Sequence, residues 1–238
     1  PSAGGRRIGG MSIRRPRSLV GAVVAALTAL AVLAGCAPAA APGTGVDPAD
    51  DDRPLVAFYG DSYTLGTGAS DLSVRWSTQL AERRGWREFN PSVNGLGFIN
   101  NRRAFADTDL PTLIIDQQPD IVIVTMGLND SFSFDARADE IEQQIDTDLA
   151  RLTEALPEAR IVVVEPFWYT AERPASLETI IGWVRAAADR YDLPFIPGAS
   201  TWIAGAPGLM ATDGLHPNDE GYALMLEKMD AAIAELGL

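Results

Sequence analysis

The 238-residue chain is poor in the residue types that cross-link or ligate: it has one cysteine and one histidine. A lone Cys36 excludes an internal disulfide, even though the leader described below points to export, where disulfides normally form. The fold therefore has to stand on its hydrophobic core. One His and one Cys also cannot build a His/Cys metal cluster; carboxylates alone stay open as ligands but nothing suggests them, and no metal or cofactor is expected. Positive charge is scarce: the formal net charge is −13, and the first 35 residues hold five arginines and no acid, so their removal takes it to −18. Nucleic acid is a poor partner for such a surface. Strong acidity suits solubility outside the cell and says little about substrate. Internal repeats are missing, and low complexity is confined to one Ala/Pro/Gly stretch. A single long apolar run exists, Leu19 to Ala34, and its 16 residues fall short of the roughly 20 that a membrane span needs.

That run has a specific context. Pro1 to Gly10 precede Met11 and are set aside from fold reasoning. From Met11 the order is a basic segment (Arg14, Arg15, Arg17), the apolar run, and Leu33-Ala34-Gly35-Cys36. This is the order of a secretory leader, and its ending resembles the lipobox of bacterial lipoproteins, in which the Cys becomes the lipidated first residue. The chain then divides into a leader over 1–35, a flexible tether over 36–53 rich in Ala, Pro, Gly and Asp, and one ordinary domain over 54–238. The expected location is exported and lipid-anchored through Cys36 on the outer side of the cell membrane.

Within the domain, short runs rich in Val and Ile at Leu55–Tyr59, Ile121–Met126 and Ile161–Val164 are apolar throughout and do not alternate, which predicts strands buried on both faces of a parallel sheet. Weaker strands fit near Glu88–Val93 and Leu193–Ile196. Helical spacing covers Leu72–Arg84, Ala136–Leu156 and Ser176–Tyr191. In a last helix, opened by Pro217 at an early position, Tyr222, Met225, Leu226, Met229, Ile233 and Leu236 recur every three or four residues as a core stripe. Alternation of strand and helix predicts an α/β fold, a three-layer α/β/α sandwich. Ligands of such folds bind beyond the carboxyl ends of the strands, and each chemically suggestive group follows a strand: Asp61-Ser62, Asn94-Gly95, Asn129-Asp130 and Trp168-Tyr169.

His216, the single histidine, lies three residues after Asp213 in Thr212-Asp213-Gly214-Leu215-His216-Pro217. Any general-base chemistry built on Ser and His must use it. The offset across a Gly-containing turn lets the carboxylate accept the Nδ1 proton while Nε2 points into the cleft, fixing the tautomer and stabilising imidazolium. Gly60-Asp61-Ser62 exposes a hydroxyl where a strand ends, and also reads as a helix cap. Donors for an oxyanion are offered by Asn94-Gly95-Leu96-Gly97 and by Gly127-Leu128-Asn129-Asp130, through close backbone approach at Gly and a side-chain amide at Asn. The Gly-x-Ser-x-Gly elbow and a Walker loop are missing. Neither Gly66-x-Gly68 nor Gly95-x-Gly97 completes a dinucleotide fingerprint.

Taken together, these blocks resemble the SGNH, or GDSL, hydrolases. Gly60-Asp61-Ser62-Tyr63 is similar to the family's first block, Gly127-Leu128-Asn129-Asp130 to its third and Asp213-Gly214-Leu215-His216-Pro217 to its last; Asn90-Pro91-Ser92-Val93-Asn94-Gly95 fits the second less closely, because Gly97 follows at once. The resemblance implies a five-stranded parallel sheet in flavodoxin-like order and a serine hydrolase that cleaves carboxylic esters through an acyl-enzyme. In it Ser62 is the nucleophile, His216 the base and Asp213 the third triad member. Its oxyanion hole is formed by the Ser62 N–H, the Asn129 side chain and the Gly95 N–H, with Gly97 as the alternative. Phe132 and Phe134 after the third block, and Phe167, Trp168 and Tyr169 after the fourth strand, are placed either to wall the cleft or to pack against neighbouring loops; Phe132, Trp168 and Tyr169 are the candidate substrate contacts. The expected partner is an acyl-ester small molecule, a lipid or an acylated glycan. Acyl transfer or thioester cleavage at the same site, and an envelope binding lipoprotein that keeps the fold without turnover, are the alternatives.

Overall fold

The computed structural model describes residues 51–238; the leader, Cys36 and the tether up to residue 50 lie outside the described residues. The chain runs β1 (Leu55–Tyr59), α1 (Ser62–Leu65), α2 (Trp76–Arg84), β2 (Arg87–Phe89), α3 (Leu110–Asp116), β3 (Ile121–Val124), α4 (Phe134–Ala155), β4 (Arg160–Val164), α5 (Ala175–Arg190), β5 (Phe195–Ile196) and α6 (Asp219–Glu235). The five strands form one parallel sheet in the order β2-β1-β3-β4-β5, the flavodoxin-like arrangement.

Period-two geometry explains how uniformly apolar strands serve two cores. Successive side chains leave opposite faces of a strand. Val56, Phe58, Ile121, Ile123, Val162 and Val164 pack against Trp76 and Leu80 of α2 and Tyr222, Met225 and Met229 of α6. Their neighbours Ala57, Tyr59, Val122, Val124, Ile161 and Val163 pack against Ile114 of α3, Ile141, Ile145 and Leu149 of α4, and Ile180 and Val184 of α5. Each Val, Leu, Ile, Phe or Met side chain removed from water here contributes roughly 1.5–3 kcal/mol, and the two layers together hold the fold.

Local departures from the expected elements have local causes. The helix expected over Leu72–Arg84 is broken at Arg75 (φ −66°, ψ 148°), which separates a 3₁₀ turn at Leu72–Val74 from α2. The Arg75 guanidinium is drawn back to the Leu65 carbonyl at 2.9 Å and to Glu88 at 3.2 Å. The second strand ends at Phe89 and does not reach Val93; Pro91 has no N–H to give a ladder. Pro217 sits before α6, not in its first turn, and Asn218 is the cap, accepting from the Gly221 N–H at 2.9 Å. Helix α3 was not expected at all.

The chain order reverses between β1 and β3, and the loops leaving these two strands open a crevice at the carboxyl edge of the sheet. Ser62 follows β1 and Asn129 follows β3, on either side of that switch point.

Candidate active site

At the end of β1, Asp61 is the N-cap of the one-turn helix α1, its Oδ1 accepting from the Tyr63 N–H at 3.0 Å. Ser62 is therefore the first residue of the helix, where a backbone N–H has no intrahelical acceptor, and that N–H finds none elsewhere among the described residues. Ser62 is nearly buried. Its Oγ lies 3.0 Å from His216 Nε2, and His216 Nδ1 lies 2.7 Å from Asp213 Oδ2. Asp213 Oδ1 accepts from the Leu215 and His216 N–H groups at 2.9 and 3.0 Å, so one carboxylate both shapes the turn and orients the ring. These bonds, the His216 ring first among them, hold the Asp213 carboxyl at about 2, although its side chain is 48% exposed.

Asn129 opens a 3₁₀ turn, Asn129–Phe132, after β3. Its Nδ2 donates to the Leu96 carbonyl at 2.9 Å and to Asp61 Oδ2 at 3.2 Å. The two glycines of the second block differ in what their N–H groups do. Gly97 donates to the Asn100 carbonyl at 2.9 Å, whereas the Gly95 N–H, at a left-handed φ of +70°, finds no acceptor among the described residues. A Cβ on Gly97 would collide with the Asp130 carboxylate, so this position is glycine because a buried acid passes beside it.

The helix cap read at Gly60-Asp61-Ser62 is present, but the burial of Asp61 and the bonds made by Asp130 went unread in the sequence. The Asp130 carboxylate accepts from three consecutive N–H groups, Phe98 at 2.7 Å, Ile99 at 2.9 Å and Asn100 at 3.1 Å, tying the second block to the third. Burial still raises its pKa above the ordinary value. Asp61, fully buried and facing Asp130, is pushed up to about 7, chiefly by desolvation. The available signal was an acid directly beside Ser62 and beside Asn129, just past an apolar strand, where a carboxylate needs a structural reason.

The aromatic residues divide. Phe132 is 60% exposed and faces Trp168 and Tyr169 with ring centroids 6.0 and 6.4 Å away; the three line a cavity of about 530 Å³ together with Ser131, Thr170 and Pro174. Trp168 is itself almost buried, its indole N–H donating to Thr170 Oγ1 at 2.9 Å and to the Glu172 carbonyl at 3.0 Å. Phe167 and Phe134 do not wall the cleft: Phe167 stacks on Tyr63 at 5.7 Å, and Phe134 stacks on Trp183 of α5 at 5.5 Å. Among the described residues no three His, Cys, Asp or Glu side chains converge as a metal site requires.

A doubly wound sheet with a Ser, a His and an Asp in hydrogen-bonded sequence at its switch point defines a class of hydrolase folds, and comparison with known proteins gives the family. The GDSL-like lipase/acylhydrolase family model matches residues 58–224. A GDSL lipase of Mycobacterium tuberculosis is 31% identical over 190 residues, covering 75% of this chain and 81% of that one. Among solved structures, the psychrotrophic esterase EstA from Pseudoalteromonas sp. superposes with a TM-score of 0.63 at 19% identity, covering 77% of this chain and 98% of that one. The acetylxylan esterase Axe2 from Geobacillus stearothermophilus gives 0.58 at 18% identity, covering 76% and 94%. The chain belongs to the GDSL-like lipase/acylhydrolase family and is an ester-hydrolysing enzyme.

Proposed function

We propose that the chain hydrolyses carboxylic esters through an acyl-enzyme on Ser62. The observation that carries this reading is the unbroken series Ser62 Oγ, His216 Nε2 at 3.0 Å, and His216 Nδ1 to Asp213 Oδ2 at 2.7 Å. In it, His216 takes the hydroxyl proton as Oγ attacks the carbonyl carbon and returns it to the leaving alkoxide; water then repeats the cycle on the acyl-enzyme. Asp213, ionised down to about 2, is available throughout to stabilise imidazolium.

The tetrahedral oxyanion is received by the N–H groups of Ser62 and Gly95 and by Asn129 Nδ2. Gly95 is favoured over Gly97 because its N–H has no acceptor among the described residues while that of Gly97 is engaged with Asn100. Both Asn129 amide hydrogens have partners, and the longer bond, 3.2 Å to Asp61, is the one the oxyanion replaces. The cavity of Phe132, Trp168 and Tyr169 takes one arm of the ester, and its mixture of rings with Ser and Thr hydroxyls suits either an acyl chain or a sugar ring. A structural neighbour described as an esterase active on acetylated mannans, besides the acetylxylan esterase, supports testing acylated glycans next to lipid esters. The basic, apolar and Cys36 order supports export with a lipid anchor on the outer side of the membrane. A panel of acyl esters and acetylated sugars, assayed with the Ser62→Ala variant as control, tests the reading: hydrolysis should vanish in the variant at unchanged fold, and full activity there would overturn it.

A further inference from the structure

Tyr63 follows the nucleophile and is held on every side. Its N–H is capped by Asp61, its carbonyl accepts from the Trp76 indole N–H at 3.0 Å, and its buried ring stacks on Phe167 at 5.7 Å with the planes 16° apart. The reach of the phenol is thereby fixed, and its hydroxyl donates to the Leu215 carbonyl at 2.6 Å. Leu215 lies between Asp213 and His216.

That turn is otherwise held at its ends and from within. The Ala211 N–H donates to the His216 carbonyl at 2.8 Å, Met210 pairs with Pro217, and Asp213 caps Leu215 and His216. Gly68, just after α1, packs so closely on the turn that a Cβ would collide with the Pro217 carbonyl. These contacts give the turn its shape. Among the described residues, the hydrogen bonds that cross from α1 to the stretch between Asp213 and His216 are two: the one from Ser62 to His216 and the one from Tyr63 to Leu215. The first must break and re-form in each cycle; bonds from Ser70 to Asp219 and from Tyr222 to Thr67 tie the loop after α1 to α6, so the second is the one that holds the Leu215 carbonyl itself against α1.

We propose that Tyr63 is a positioning residue for the base: its hydroxyl, by donating to the Leu215 carbonyl, keeps the Asp213–His216 turn where Nε2 meets Ser62 Oγ. This rests on the reading of Ser62 and His216 as nucleophile and base. An aliphatic side chain at this position could fill the space but could not donate. Burial pushes the Tyr63 phenol well above its ordinary value, so the donor stays protonated wherever the enzyme works. Misplacement of a catalytic group by about 1 Å can cost as much as 10²-fold in rate, whereas the bond itself is worth a factor of roughly 3–10.

The test compares wild type, Tyr63→Phe and Tyr63→Leu in ester turnover and in the rate of phosphonylation by a fluorophosphonate. Tyr63→Phe keeps the ring contacts, so it should fold normally, lower kcat and the phosphonylation rate by roughly 3–10-fold and leave KM within two-fold. Tyr63→Leu should be at least as slow. Wild-type rates in Tyr63→Phe, a change confined to KM, or a defect seen only in Tyr63→Leu would each overturn the proposal, the last by assigning the effect to ring packing. Adduct mapping on wild type separates the two levels: no adduct on Ser62 sinks the nucleophile reading and this inference with it, while a Ser62 adduct formed equally fast in Tyr63→Phe sinks the inference alone.

Discussion

Asp61 should make the protein less stable as the pH rises, the reverse of what a salt-bridged carboxylate does. Its pKa is moved from 3.8 to about 7 in the folded state by burial, so between about pH 4 and 7 the folded chain keeps a proton that the unfolded chain has released. Stability then falls as pH rises through that window, is unaffected by this group below it, and carries the full cost above it. About three units at 1.36 kcal/mol each give about 4 kcal/mol, with a limiting slope of about 1.4 kcal/mol per pH unit. Asp61→Asn retains an oxygen for the Tyr63 N–H but does not titrate. Its new amide meets the Asn129 amide, which adds a cost independent of pH, so the informative quantity is the change with pH and not the offset. Urea unfolding of both proteins from about pH 4.5 to 7.5, followed by circular dichroism, should show the variant gaining on wild type by a few kcal/mol across the range. Parallel curves would show that Asp61 does not titrate in this window and would refute the argument. Asp130 repels the Asp61 carboxylate in wild type and not in the variant, so the difference between the two curves reports the pair together.

Asn129→Ala should lower kcat by roughly 10²–10³ with KM within a few-fold; a rise in KM at constant kcat would make Asn129 a substrate-positioning residue instead. Asp130→Asn exchanges one acceptor oxygen for a donor facing the N–H groups of 98–100. It should cost about 1–3 kcal/mol for each donor left unpaired, read as a lower urea midpoint together with a lower kcat as the Gly95 loop loosens; an unchanged midpoint would show that these bonds contribute nothing. Cys36→Ser should move the protein from the membrane fraction to the soluble one, and an unchanged membrane-bound pool would contradict lipidation at this residue.

The central layer of the fold was legible because strands buried on both faces must be apolar at every position, as Ile121–Val124 and Ile161–Val164 are. The edge strands carry weaker signals for the same reason: Arg87–Phe89 is only half-buried and Phe195–Ile196 is two residues long. Helix α3 escaped notice because seven residues give too few turns for a period; the start signals were there in Asp109, which caps the Thr112 N–H at 2.9 Å, and in Pro111. In the site, the single histidine left one candidate base, while the roles expected of Ser62 and Asp213 came from the resemblance of Gly60–Tyr63 and Asp213–Pro217 to the family's first and last blocks. Choosing between Gly95 and Gly97 could not be done that way, because it depends on where Asn100 and Asp130 place a carbonyl and a carboxylate. The directions of Phe134 and Phe167 were equally out of reach: both lie beyond strand ends, and they turn inward because Trp183 and Tyr63 offer them rings to stack on.

The proposed function turns on Ser62 being the covalent nucleophile, activated by His216. The most direct measurement is to react the purified protein with a fluorophosphonate, digest it and map the added mass by tandem mass spectrometry, with His216→Ala in parallel. One adduct per chain on the peptide carrying Ser62, formed at least 10²-fold more slowly in His216→Ala, is the predicted result. An adduct on another serine, or equal labelling with and without His216, would contradict it.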